Sequence, residues 1–322
     1  MSAATVVRQR PRFPAPARSW TGLALLLVAG IAVHPLIGRS DQDTLTTLFL
    51  YIVGASAWNL VGGIAGQFSL AQSAFVGTGA YATVMVMLKL GWSGTTALVA
   101  AAAAGVLLAL VMGVVLFRLR GVYFTIGSLA FALAAVSWMT IWSFTGATEG
   151  LSAPLALAPA PDTLFTLALG LAVVAIAISI AVFHSGYGLR LMAVRDDEEV
   201  ADSLGVAPFL SKLGVLVLSG ALTALAGGAL ALQTISIEPF SAFSVTWTIS
   251  FIVMAIVGGL GTVWGPVLGA AVIYYGLTVQ LQELPTLGSV VSGLLIVVLI
   301  KFLPTGLLGG ARAVLARVRR DS

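Results

Sequence analysis

The charged side chains of this sequence concentrate in one short stretch, residues 188–206, which reads GLRLMAVRDDEEVADSLGV. Seven charged residues lie in it: Arg190, Arg195, Asp196, Asp197, Glu198, Glu199 and Asp202. Guanidinium and carboxylate groups at this density can form ion pairs, and acidic side chains stabilise the N-terminus of a helix through its dipole. The stretch is therefore suited to staying in water, rather than to bond-making chemistry.

The same stretch predicts a short helix. Asp196 and Glu199 have the D-x-x-E spacing of a capping box, and Gly205 is suited to the position after the last helical residue. The small apolar face of this helix would consist of Val200, Ala201 and Leu204. A helix of about two turns is marginally stable alone, so we expect a partner to dock on it. The alternative, a solvated acidic loop, stays open at this point.

Catalytic residue patterns are missing from the sequence. Cysteine is absent, and His34 and His184 are too far apart for metal-ligand spacing. There is no H-E-x-x-H and no G-x-S-x-G pattern. A P-loop needs a Gly-Lys step, whereas Lys89, Lys212 and Lys301 follow Leu, Ser and Ile. We therefore predict no enzyme activity, no metal and no cofactor, and any ATP hydrolysis would belong to another subunit.

The composition places most of the chain in lipid. Hydrophobic residues make up 59% and charged residues 9% of the 322 residues, and the mean hydropathy is +1.06. A soluble globular domain has roughly 25% charged residues. The apolar runs are continuous rather than alternating, which favours helices over a barrel. The predicted fold class is an all-α polytopic membrane protein with about ten spans of roughly 20 residues each. The predicted spans are 19–37, 45–63, 73–91, 95–117, 122–144, 163–183, 211–232, 246–259, 264–281 and 288–303.

The basic residues indicate the orientation of these spans. With a cytoplasmic N-terminus, only Arg39 and Lys89 lie outside. The inner side then holds Arg8, Arg10, Arg12, Arg18, Arg118, Arg120, Arg190, Arg195, Lys212, Lys301, Arg312, Arg317, Arg319 and Arg320. This asymmetry follows the positive-inside rule, and basic residues at span ends argue against a nucleic-acid partner. The expected organisation is a cytoplasmic tail (1–18), a membrane domain (19–303) with a cytoplasmic loop (184–210), and a cytoplasmic C-terminal tail (304–322).

Two segments of the sequence resemble each other. Residues 60–81 and 256–275 share a V-G-G core, followed by an aromatic residue and a run of small residues that ends in Tyr. Paired Gly-interrupted segments are typical of broken helices that line a transport pathway. Close packing of ordinary membrane helices is the alternative. We favour an internal repeat, and the span count gives both segments the same orientation.

Neutral polar residues are the candidates for a transport pathway. No predicted span has a charge near its centre, which argues against ion-coupled transport. Hydroxyl and amide groups can bind a neutral or zwitterionic solute, although helix–helix contacts are the alternative role. The predicted pathway residues are Gln67, Ser69, Gln72, Tyr81, Tyr123, Thr125 and Ser128.

The stretch GLRLMAVRDDEEVADSLGVAPFLSKLGVLVLSGALTALAGGAL resembles the permeases of bacterial branched-chain amino acid ABC transporters of the LivM type. The segments GQFSLAQSAFVGTGAY, RLRGVYFTIGSLAF, TGATEGL and GGLGTVWGPVLGA resemble further motifs of that family in the same order, from about residue 45 to 305. The sequence departs from the family after Arg120, where SLAFALAAVSW has no Gly-Glu pair near 132–133. The resemblance therefore leaves the amino-acid preference open.

The resemblance implies a permease subunit of an ATP-driven importer for branched-chain or related amino acids in the bacterial inner membrane. Its expected partners are two ABC ATPase subunits, a second homologous permease, a periplasmic substrate-binding protein and the lipid bilayer. In the family, the charged loop docks the ATPase. The implied coupling residues are Gly188, Arg190, Arg195, Asp196, Asp197, Glu198, Glu199, Val200, Ala201, Leu204 and Gly205. The alternatives are an ABC permease for urea or short amides, and a passive channel for a small neutral solute.

Overall fold

Long helices form almost all of the structure, a computed structural model that describes residues 16–279 and 306–310, with side chains except at 16, 18 and 277–279. Apolar runs adopt helices because a helix satisfies its own backbone hydrogen bonds in lipid. The helices are α1 (Pro16–Val33), α2 (Arg39–Asn59), α3 (Gln72–Leu90), α4 (Gly94–Leu116), α5 (Val122–Ile141), α6 (Pro161–His184), α7 (Gly186–Asp196), α8 (Glu198–Ser203), α9 (Pro208–Thr234), α10 (Pro239–Ala242), α11 (Val245–Gly259) and α12 (Gly265–Ala270). Two of them continue as π-helical turns, α2 through Leu60–Ile64 and α12 through Ala271–Val279.

Eight helical segments in the described residues are long and apolar enough to cross a membrane. They match the first eight predicted spans, from Ser19–Leu36 to Pro239–Gly259, and confirm the all-α polytopic fold class. The ninth predicted span, 264–281, corresponds to a shorter apolar helix, Gly265–Gly276. The tenth, 288–303, lies outside the described residues.

The centre of the bundle consists of α2, α3 and α9. In the spans of α2 and α9, 83% and 78% of the residues are buried, against 17% in α1 and α5. Small residues permit this packing: a Cβ on Gly79 of α3 would collide with the carbonyl of Ala224 on α9. In lipid, such close backbone approach supplies the van der Waals contact that holds helices together.

The two ends of the bundle differ in what they carry. One end holds α7 and α8 together with the segments that follow α2 and α11, and we call it the α7–α8 end. The opposite end carries a two-stranded antiparallel ladder, β1 (Leu151–Ser152) with β2 (Ser236–Ile237), in which Leu151 pairs with Ile237. Gln42 of α2 also lies there and donates to Oδ1 of Asp162 at 2.9 Å, which joins α2 to the start of α6.

Two helix breaks face each other at the α7–α8 end. The first break, residues 60–71, separates α2 from α3, and the second break, residues 260–264, separates α11 from α12. The helices before the breaks run in parallel, because Tyr51 stacks near Trp247 (5.6 Å between ring centroids) and Gly54 lies against Phe251 further along both helices. The two similar sequence segments therefore have the same orientation, as the span count predicts.

Candidate functional site

The helix α7 begins directly after α6 and lies across the α7–α8 end. Ser185 caps it by accepting a hydrogen bond from the Gly188 backbone N–H at 3.2 Å. The hydroxyl of Tyr187 donates to the carbonyl oxygen of Ser211 at 2.6 Å, so α7 is tied to the start of α9. Burial raises the pKa of Tyr187 to about 12. This helix differs from the prediction, in which residues 186–195 are part of a loop.

The helix α8 follows after one extended residue, Asp197. Its side chain caps α8, because Oδ1 accepts from the N–H groups of Glu199 and Val200, both at 3.0 Å. The predicted cap at Asp196 is therefore wrong by one residue, since Asp196 is still the last residue of α7. Gly205 ends the helix with φ +84°, as predicted.

An ion pair fastens α8 to the bundle. Nζ of Lys212, on α9, lies 2.8 Å from Oε1 of Glu198, and the lysine side chain is only 1% exposed. The same Nζ lies 5.4 Å from the centroid of the Phe117 ring. Arg120 also pairs with Glu199 at 2.9 Å, but both of these side chains are exposed. Glu198 is thus an anchor of α8 rather than a freely presented surface charge.

The apolar residues of α8 divide between two faces. Leu204 is 77% and Val200 53% exposed, whereas Ala201 is 1% exposed. The prediction that all three form one contact face is wrong for Ala201, which packs inward because α8 lies flat on the bundle. Beside Leu204 runs a groove of about 460 Å³ between α7 and the start of α9. The groove is lined by Tyr187, Arg190, Leu204, Gly205, Val206, Ala207, Leu210 and Ser211.

The side chain of Arg195 points from α7 toward the two helix breaks. Its Nη1 donates to the carbonyl oxygen of Gly63 at 3.2 Å, while Nε and Nη2 donate to Oδ1 of Asp196 at 3.3 and 3.2 Å. The aliphatic part of the side chain lies on Gly66, where φ is +70° and a Cβ would collide with the arginine Cγ.

The two breaks are also joined directly. Nδ2 of Asn59 donates to the carbonyl oxygen of Thr262 at 2.9 Å, and its Oδ1 accepts from the Gly261 N–H at 2.8 Å. Gly63 lies so close that a Cβ on it would be 2.7 Å from the Gly261 nitrogen. One amide side chain therefore closes the first break against the second.

Several predicted pathway residues meet in the first break. The hydroxyl of Thr125 donates to the Phe68 carbonyl at 2.9 Å, and the hydroxyl of Ser128 accepts from the Leu70 N–H at 2.8 Å. Ser69 is buried, and its carbonyl accepts a hydrogen bond from Trp58 at 2.8 Å. These contacts hold the irregular residues 65–71 of the first break against α2 and α5, so the side chains contribute to helix packing.

The remaining predicted pathway residues lie in other surroundings. Gln67 is half-buried beside the cluster, and its side chain has no hydrogen-bond partner within the described residues. Gln72 donates to Ser219 of α9 at 2.9 Å. Tyr81 lies further along α3, 5.9 Å from the Phe243 ring, whereas Tyr123 is 74% exposed on α5 and away from the cluster.

Several residues that organise this site are not among the predicted site residues. Lys212, Asn59 and Ser219 each contact a residue on another element, and their polar character inside apolar runs is the signal that could have identified them. A buried lysine or asparagine in a membrane helix needs a partner, because an unpaired polar group in lipid is costly. Thr248 of α11 belongs to the same group, since its hydroxyl accepts from the Ser73 N–H at 2.8 Å.

A bundle of long apolar helices with eight candidate membrane spans in the described residues is the architecture of a polytopic membrane protein. The family described as "Branched-chain amino acid transport system / permease component" matches residues 42–300, and the chain belongs to that family. It is therefore a multi-pass transport component of the inner membrane and not an enzyme.

Two curated proteins are similar along most of the chain, both described as the high-affinity branched-chain amino acid transport system permease protein LivM. The protein from Escherichia coli is 27% identical and the one from Salmonella typhimurium 25% identical. Each alignment covers 89% of this chain and 74% of the relative. A structural comparison also finds PsaBC from Streptococcus pneumoniae in complex with Fab, with a TM-score of 0.49, 14% identity and coverage of 85% of this chain and 95% of that chain.

Proposed function

We propose that the chain is the membrane permease of an ATP-driven importer for branched-chain or related amino acids. We further propose that α7 and α8 form the docking surface for separate ATPase subunits. The observation that carries this proposal is that α8 has two different faces. One face is attached to α9 by the Glu198–Lys212 ion pair, whereas Val200 and Leu204 on the other side are exposed. Exposed apolar side chains beside a groove are suited to the core of a protein interface.

The proposed orientation places the α7–α8 end in the cytoplasm, with both chain termini on that side. Within the described residues, Arg118, Arg120 and Arg190 lie at or near this end, whereas Arg39 and Lys89 lie at the opposite end. This distribution supports the orientation through the positive-inside rule. The proposed organisation keeps residues 1–18 and 304–322 as tails and 184–210 as the cytoplasmic loop of the membrane domain.

The proposed assembly contains two ATPase subunits, a second similar permease and a periplasmic substrate-binding protein. The permease would switch a central pathway between outward-facing and inward-facing states when nucleotide binding moves the ATPases. Such movement would act on α7–α8 and reach the helix breaks, where Gln67, Ser69, Gln72, Thr125 and Ser128 are proposed to lie near the solute. Tyr81 and Tyr123 are proposed to line the pathway at other depths.

Co-purification tests the docking proposal. The tagged chain is isolated from its native membrane in mild detergent, and the associated proteins are identified. P-loop ATPases are expected with the wild type and are expected to be lost in Leu204→Asp, because a carboxylate replaces an exposed apolar contact. Leu155→Asp is the matched control, since Leu155 is 72% exposed and precedes α6 at the opposite end.

Uptake measurements distinguish the alternative functions. Accumulation of labelled leucine that stops when ATP is depleted supports the importer. Uptake that persists without ATP supports a passive channel, and transport of urea or short amides in preference to leucine supports a permease for those solutes. A wild-type protein that is isolated alone in several detergents would contradict the docking proposal.

A further inference from the structure

We infer that Arg195 is a positioning residue that ties α7 to the first helix break, which Asn59 joins to the second, so that both breaks move with α7 as one unit. The inference rests on the proposed function, because the movement it transmits is the movement of a docked ATPase. It adds a specific connection from the surface helices to the part of the bundle where the predicted pathway residues meet.

The first contact of Arg195 is with the end of α2. The last carbonyl groups of a helix have no partner within the helix, and a cation placed there is favourable for the helix dipole. In the first break, the Leu60 carbonyl accepts from Ala65 at 3.2 Å and the Val61 carbonyl accepts from Gln67 at 2.9 Å. Nη1 of Arg195 supplies the donor for the Gly63 carbonyl at 3.2 Å. The guanidinium on α7 thus supplies a hydrogen-bond donor to a carbonyl group at the end of α2.

The guanidinium also lies close to the other break. A Cβ on Gly261 would lie 3.8 Å from Nη1 of Arg195, so the guanidinium is next to the second break as well as the first. Asn59 holds Gly261 and Thr262 on the same side. The guanidinium and the asparagine amide therefore bracket the point where the two breaks meet.

The shape of the first break is fitted to this arginine. Gly66 adopts φ +70°, a conformation that favours glycine, and its missing Cβ leaves the space that the arginine stem fills. Arg195 therefore fits the first break in two independent ways: the Gly63 carbonyl accepts a hydrogen bond from it, and Gly66 leaves room for its aliphatic part. Two other charged residues of the segment have different partners: Glu198 pairs with Lys212 of α9 and Glu199 pairs with Arg120.

The inference predicts that loss of this contact uncouples transport from ATP hydrolysis without removing the ATPases. The test uses the complete transporter, purified with its partners and reconstituted, in wild-type, Arg195→Gln, Arg195→Lys and Gly66→Ala forms. Arg118→Gln is the control, because it removes an exposed arginine that follows α4 at the same end.

Each of the four variants has its own expected result. Arg195→Gln keeps its ATPase subunits but moves at least about fivefold less leucine per ATP hydrolysed, the lower range of allosteric couplings. Gly66→Ala gives the same defect, because the new methyl group displaces the arginine while its charge remains. Arg195→Lys recovers part of the transport, since lysine can still donate to a carbonyl, and Arg118→Gln matches the wild type.

Hydrogen exchange gives a second readout on the permease itself. Amides of residues 261–265 are expected to exchange faster in Arg195→Gln and Gly66→Ala than in the wild type, because the first break, to which Asn59 joins them, is no longer held by α7.

Three outcomes would overturn the inference: loss of the ATPases from Arg195→Gln, transport per ATP unchanged in Gly66→Ala, or exchange at 261–265 unchanged in both variants. A wild-type protein without ATPase partners would instead contradict the proposed function, and the exchange measurement would still decide the role of Arg195.

Discussion

Nζ of Lys212 lies 2.8 Å from Oε1 of Glu198, and this pair joins α9 to the first turn of α8. The two partners are unequally buried, with the lysine 1% and the glutamate 27% exposed. Removal of one partner from a fully buried pair typically costs roughly 3–5 kcal/mol, and the partial exposure of Glu198 lowers this range here. The loss of stability should therefore differ between a substitution of Glu198 alone and a substitution of Lys212 alone.

Glu198→Gln is expected to destabilise the protein more than Lys212→Met. The first change leaves a buried ammonium group without its carboxylate, whereas the second leaves a carboxylate that water can reach. Thermal unfolding of both variants in the same detergent measures the difference. Equal losses, or a larger loss in Lys212→Met, would contradict the role of the lysine as the buried partner.

Asp197→Ala is expected to destabilise α8 by about 1 kcal/mol, the usual cost of losing an N-cap. Asp196→Ala is the matched control, because Asp196 contacts only its neighbour Arg195 among the described hydrogen bonds. Hydrogen exchange at the Glu199 and Val200 amides is the direct measurement. Faster exchange in Asp196→Ala than in Asp197→Ala would contradict Asp197 as the cap and would support Asp196, the residue that the sequence spacing suggests.

Asn59→Leu is expected to lower the unfolding temperature, because it leaves the Gly261 N–H and the Thr262 carbonyl without their partner. An unsatisfied buried group costs about 1–3 kcal/mol, and the partial exposure of Gly261 and Thr262 lowers this range here. Gln67→Leu makes a similar amide-to-alkyl change at a half-buried position and should leave the unfolding temperature unchanged. If both variants unfold at the wild-type temperature, Asn59 does not hold the breaks together.

Gln67→Ala is expected to reduce leucine uptake by about fivefold without a loss of stability, the equivalent of one hydrogen bond of about 1 kcal/mol to the solute. Thr125→Val should reduce both uptake and stability, because it also removes the contact with the Phe68 carbonyl. Uptake is compared at equal expression, with unfolding measured on the same preparations. Wild-type uptake by both variants would exclude these residues from the pathway.

Tyr187 predicts a pH dependence of the attachment of α7. Its pKa is raised from 10.0 to about 12 in the folded protein, so the neutral hydroxyl is favoured by folding. This contribution is fully present below pH 10 and is lost as the pH rises through about 12. Between these values, the wild type should lose more stability than Tyr187→Phe, which has no ionisable group there. If the stability of the two proteins changed equally with pH, this role of Tyr187 would be contradicted.

The sequence predicts the spans well because their signal is local. A continuous apolar run of about 20 residues is sufficient to indicate a membrane helix, and eight predicted spans correspond to helices in the structure. The similarity of 60–81 to 256–275 also indicates the two breaks, because both segments contain Gly residues close to the point where a helix is interrupted.

The parts of the site that the sequence does not predict depend on distant partners. Asp196 and Asp197 are both suitable caps, and the choice depends on α7, which keeps Asp196 helical. Glu198 is among the predicted coupling residues, but its partner is 14 residues away on another helix and is not predicted. The role of Asn59 is equally difficult to predict, because no local sequence spacing relates it to Gly261.

The contact between Asn59 and Gly261 has a consequence for biosynthesis. The two residues are 202 positions apart, so the α2 helix enters the membrane long before its hydrogen-bond partner has been translated. At about 5–20 residues per second, the delay is on the order of ten to forty seconds. During that interval the nascent chain carries a polar amide in the bilayer without its final partner. The late arrival of α11 therefore completes the packing of one of the first helices to be inserted.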